Sequence, residues 1–73
     1  VSNNKLLDRA LGILLDIGSV NKDVALQLLK KTNGSVKLSL LIALTNLDVT
    51  QAKQLLDESN GNLRNALNNV DRY

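Results

Sequence analysis

The side chains that could do chemistry in this 73-residue chain are few: seven carboxylates and nine lysines and arginines, with no histidine and no cysteine. Acid–base catalysis by Asp8, Asp16, Asp23, Asp48, Asp57, Glu58 and Asp71 would need two of them converging in one pocket. Their spacing instead assigns them mostly to helix caps and solvent-facing positions. Thiol nucleophiles and Cys/His zinc sites are excluded by composition. No glycine-rich loop of the phosphate- or dinucleotide-binding type occurs. The expectation is a chain with no catalytic residue, no cofactor and no metal of its own.

Lys30, Lys31 and Lys37 form the one basic cluster, and in a helix-turn-helix they would suggest DNA. Residues 36–44, the would-be reading helix, are overwhelmingly apolar, whereas a groove-reading helix needs polar side chains that reach base edges and phosphates. A formal charge of +2 with mixed signs supplies no field for phosphate backbones or anionic lipid. The apolar run Leu40 to Leu44 is far too short to span a bilayer. No nucleic acid and no membrane partner is expected, and the location expected is cytoplasmic. Methionine is missing throughout, position 1 included, which suggests a piece of a longer polypeptide.

The elements that carry these residues follow from a repeat. Gly34 and Gly61 lie 27 residues apart (61 − 34), and that offset aligns residues 20–43 with 47–70. Ala25, Gln27, Leu28, Leu29, Asn33, Gly34 and Leu40 recur as Ala52, Gln54, Leu55, Leu56, Asn60, Gly61 and Leu67. Asp48 with Gln51 has the form of a capping box, and Asn21 takes the cap position in the first copy. Val20 and Leu47 are placed to staple onto Ala25 and Ala52. Asn33-Gly34 and Asn60-Gly61 stop a helix, since glycine and asparagine tolerate left-handed backbone. Ser35 and Asn62 then cap the next one. Upstream, Leu6, Leu7, Ala10, Leu11, Ile13, Leu14 and Ile17 recur at helical spacing. The result is an all-α single domain of five helices, near 4–16, 22–33, 36–45, 49–59 and 63–71, in two helix-Gly-helix repeats behind an N-terminal helix. Without cysteine or metal staples, leucine packing must hold it.

Helices three and five differ in one respect. Val36, Leu40, Ala43 and Leu44 form one face of helix three, while Leu38, Leu41 and Ile42 form a second. Helix five keeps the first face, but Asn65, Asn68 and Asn69 replace the second. Leu38, Leu41 and Ile42, with Leu26 on helix two, are therefore the candidate central-helix or interface residues.

Ile17-Gly18 after helix one, followed by Ala25, Leu28, Leu29, Gly34 and Val36, resembles the three-helix ubiquitin-associated (UBA) fold. Its ubiquitin-binding members usually place an aromatic after the first-loop glycine, and here Ser19 follows Ile17-Gly18, so ubiquitin is not an expected partner. A more specific resemblance rests on Asn4-Lys5-Leu6, Arg9-Ala10 and Ile13, then Ala25 with Leu28-Leu29 and Gly34-Ser35-Val36-Lys37-Leu38. It continues through Leu47-Asp48, Ala52 and Leu55-Leu56 to Gly61, Leu63-Arg64 and Ala66-Leu67. Over residues 3–70 the chain is similar to the C-terminal helical domain of bacterial N-acetylmuramic acid 6-phosphate etherases. Asn33 and Asn60 stand where that pattern would have a second glycine, and Gly18 lacks the usual preceding threonine. The resemblance implies a lyase that cleaves the D-lactyl ether of N-acetylmuramic acid 6-phosphate in peptidoglycan recycling. It also implies an active site in a preceding sugar-isomerase (SIS) domain, and a helical tail serving structure and assembly in a homodimer. The partners implied are that SIS domain, a second copy of the chain, or both. The alternative is a stand-alone UBA-like protein-binding module.

Overall fold

The computed structural model describes residues 3–70, with side chains from residue 7 onward. Five helices follow in order: α1 (Asn3–Asp16), α2 (Lys22–Lys31), α3 (Val36–Thr45), α4 (Val49–Glu58) and α5 (Leu63–Asn68). No strand occurs among the described residues.

Local chemistry accounts for the helix starts. Asn21, Ser35, Asp48 and Asn62 are the N-caps of α2 to α5, each side chain accepting from the backbone amide three residues on. Only Asp48 completes the reciprocal capping box, through the Gln51 side chain.

The two glycine stops are full Schellman turns. After the C-cap Thr32, the Asn33 amide donates to Lys30 O and the Gly34 amide to Leu29 O. After Ser59, Asn60 donates to Asp57 O and Gly61 to Leu56 O in the same pattern. All four residues have positive φ, +56° and +57° for the asparagines and +87° and +75° for the glycines. Asparagine is the side-chain-bearing residue best suited to that region, which explains why it stands where a second glycine was expected. These turns end α2 at Lys31 and α4 at Glu58, short of the expected 33 and 59. Helix α5 ends at Asn68 rather than 71, closed by the Asn69 amide on Asn65 O and Ala66 O; residue 71 lies outside the described residues.

Packing adds a level of repetition that the glycines do not reveal. Two apolar clusters form, and α3 contributes to both. Leu40 packs with Ala10, Leu11, Leu14, Ala25 and Leu29, while Leu38 and Leu41 pack with Ala52, Leu55 and Ala66. Moving the 27-residue offset upstream explains this. Leu11, Leu14 and Leu15 of α1 then fall on Leu38, Leu41 and Ile42 of α3. Leu11 and Leu38 have the same exposure, 8 %, and Leu14 and Leu41 the same, 0 %. The fold is thus two overlapping three-helix units, α1–α2–α3 and α3–α4–α5. Helix α3 is the third helix of one and the first helix of the other. An apolar side chain on each face follows from that double membership.

The same offset shows why the row stops. The Val36–Ala43 face of α3 is replaced in α1 by exposed Arg9 and Asp16, and its Leu38–Ile42 face is replaced in α5 by Asn65, Asn68 and Asn69. Polar residues on the outer faces of terminal repeats end a stack in this way. The principal extents of 39 × 21 × 18 Å fit units set in a row rather than closed around one centre.

Candidate interaction surface

The expected site residues separate into covered and exposed groups. Leu38 and Leu41 are buried in the second cluster, and Ile42 is partly buried against it. Leu26 lies outside both clusters, on the outer side of α2 and exposed; its repeat counterpart is Lys53. Leu44, expected on the inner face with Val36 and Leu40, is 42 % exposed. Its neighbour Ala43 closes the end of α3, and a helix turns about 100° per residue, which swings Leu44 to solvent.

Gly18 proves to be a packing residue. It is buried, and a Cβ built there would lie 2.7 Å from Leu14 O and 3.3 Å from the Ala43 Cβ. The turn after α1 therefore folds back tightly on the Leu14 carbonyl of α1, which only glycine allows, and lies close against the Ala43 side chain of α3. The left-handed residue of this turn is Ser19, with φ +56°, and its counterpart one repeat on is Asn46, with φ +62°. Ile17 and Leu44 flank the Gly18–Ala43 contact in sequence, are equivalent across the repeat, and are both exposed, Ile17 by 58 %. Sequence reading singled out Ile17 but missed Leu44, whose signal was its position 27 residues after Ile17.

One apolar groove of about 400 Å³ lies between the units. Leu28 of α2, Ile42 of α3 and Leu47 and Val49 at the start of α4 supply apolar walls, with Lys31 and Asp48 also lining it. The described carboxylates are all exposed, and Asp48 is spent on its capping box. What this surface offers chemically is apolar contact with a polar edge, which suits another polypeptide.

Against known proteins, residues 35–70 match the UBA-like domain family, a span that covers α3 to α5 and coincides with the second three-helix unit. Over 67 residues the chain is 76 % identical to the N-acetylmuramic acid 6-phosphate etherase of Prochlorococcus marinus (strain NATL1A). That alignment takes in 92 % of this chain. This chain is homologous to a segment of N-acetylmuramic acid 6-phosphate etherases. The likeness extends to more distant members. The etherase of Parasynechococcus marenigrum (strain WH8102) is 48 % identical over 65 residues, 89 % of this chain, and that of Trichodesmium erythraeum (strain IMS101) 44 % over 70 residues, 96 % of it. The chain spans about a fifth of the length of these etherases: 22 %, 21 % and 23 % in turn. No solved structure matches it. No described helix is long and apolar enough to cross a membrane.

Proposed function

We propose that this chain is the non-catalytic C-terminal helical domain of a cytoplasmic, homodimeric N-acetylmuramic acid 6-phosphate etherase, and that its role is structure and assembly. The observation that supports this most is the 76 % identity across nearly the whole chain to a protein of which it spans only 22 %. The parent would cleave the D-lactyl ether of its sugar phosphate during peptidoglycan recycling, with the proton transfers made in a preceding SIS domain. The helical domain would dock on that domain, on a second copy of itself, or on both. Ile17, Leu26 and Leu44, together with Leu7, Leu15 and Val24, and the Leu28–Ile42 groove offer apolar surface for docking. This reading is favoured over a stand-alone UBA-like binding module.

Lactate release from N-acetylmuramic acid 6-phosphate is the assay. The parent enzyme should turn over, and the isolated 73-residue chain should give no lactate above a buffer blank; turnover by the isolated chain, lost on unfolding it, would overturn the non-catalytic assignment. The gene upstream of Val1 should encode a sugar-isomerase domain, and its absence would favour the binding module. Titration with ubiquitin should leave the amide resonances of Ile17, Gly18 and the end of α3 unmoved.

A further inference from the structure

The two Asn-Gly pairs have a chemistry that their structural role leaves aside. In a free chain, the backbone nitrogen of the glycine attacks Cγ of the preceding asparagine. A C–N bond forms, the Cγ–Nδ2 bond breaks, and the amide leaves as ammonia with the proton given up by the glycine nitrogen. Water then opens the five-membered imide to aspartate or isoaspartate. No catalyst is needed, and a following glycine offers the least steric resistance. Asn33 and Asn60 are both exposed, so water reaches them.

We propose that Asn33 and Asn60 are deamidation sites held closed by their Schellman turns, with Asn60 the first to react. The attacking nitrogen must shed its proton and swing onto Cγ. In the first turn the Gly34 N–H is donated to Leu29 O at 2.8 Å, and in the second the Gly61 N–H is donated to Leu56 O at 2.9 Å. Each reaction therefore waits for a local opening of a helix end.

The glycine bonds are nearly equal, and the two other backbone bonds are the longer in the first turn, 3.4 against 3.1 Å for the asparagine amide and 3.3 against 3.0 Å for Ser35 to Thr32 O and Asn62 to Ser59 O. The side chains rank the turns the other way. Thr32 Oγ1 lies 2.8 Å from Ser39 Oγ and donates to Ser35 O at 3.2 Å, tying the end of α2 to the first turn of α3. The equivalent Ser59 Oγ is buried without a partner, because Ala66 stands where Ser39 would be. The first turn also leads into ten-residue α3, packed on two sides, and the second into six-residue α5. At the second turn the exposed Lys37 Nζ donates to Gly61 O. Either product works against closing again. Isoaspartate adds a methylene to the backbone, and aspartate brings negative charge to the negative end of a helix.

The test is incubation of the chain in mildly alkaline buffer, folded and in urea, with peptide mass spectrometry to follow each asparagine separately. Both sites should react at least about tenfold more slowly when folded, with Asn60 ahead of Asn33, and at similar rates in urea. Equal rates folded and unfolded would overturn the gating. Asn33 reacting first in the folded chain would overturn the ranking. In the Ser39→Ala variant, checked for retained helicity, Asn33 should gain on Asn60; an unchanged ratio would remove Thr32–Ser39 as the brace. The wild-type comparison stands even if that variant fails to fold.

Discussion

Thr32 and Ser39 share a buried hydrogen bond, Oγ1 to Oγ at 2.8 Å, that joins the last turn of α2 to the first turn of α3. One repeat later the pair reads Ser59 and Ala66, and the Ser59 hydroxyl is left buried and unpartnered. Two copies of one turn thus differ in how their buried hydroxyl is satisfied, which allows the Thr32–Ser39 contact to be compared with its missing counterpart within one molecule.

Ser39→Ala should cost about 1 kcal/mol, since it removes the bond and leaves Thr32 to its remaining carbonyl partners. Ser59→Ala should cost nothing or stabilise by up to about 1 kcal/mol, because it removes a desolvated hydroxyl that bonds to nothing. Urea midpoints of the two variants decide the matter. Equal losses would mean that Ser59 has a partner, such as an ordered water.

The glycines should fall into three classes under substitution by alanine. At Gly34 and Gly61 the added Cβ meets open space, so the positive φ alone costs about 1 kcal/mol. At Gly12, within α1 and with nothing within 4 Å of a Cβ, alanine should stabilise by about 0.5–1 kcal/mol through helix propensity. Gly18 should be the worst site despite its ordinary φ, because the obstacle at 2.7 Å is the backbone carbonyl of Leu14. Thermal melts of the four variants would contradict this scheme if Gly18→Ala proved milder than Gly34→Ala.

Leu41→Asn should abolish cooperative unfolding of the isolated chain. It exchanges a fully buried leucine for an amide with no partner in the second cluster. The lost burial and the stranded polar group together amount to roughly 3–5 kcal/mol, a large part of a small domain's stability. Leu14→Asn should do the same, being the same position one unit earlier. Leu44→Asn, at an exposed site, should stay within about 0.5 kcal/mol of wild type. Circular dichroism melts alongside sedimentation give the readout. A Leu41→Asn chain that melts normally but no longer self-associates would make this face an interface instead.

Much of the fold was legible in the sequence because helix ends are decided within four or five residues. Asn21, Ser35, Asp48 and Asn62 each satisfy an amide three residues away, and Asn33-Gly34 and Asn60-Gly61 close carbonyls three and five residues back, so their identities suffice to place the turns. The two apolar faces of α3 were equally legible, being a matter of periodicity along one helix.

What covers those faces was decided only in three dimensions, since burial depends on residues distant along the chain. Leu41 is covered by Ala52, Leu55 and Ala66, and Leu40 by residues as far back as Ala10. The contact of Gly18 with Ala43 likewise exists only because the end of α3 is set against the turn. Leu44 and Ile42 looked equally apolar in the sequence, yet one faces solvent and the other a packed cluster. The difference lies in which sides of α3 the helices of its two units cover, a relation between helices that no stretch of neighbouring residues encodes.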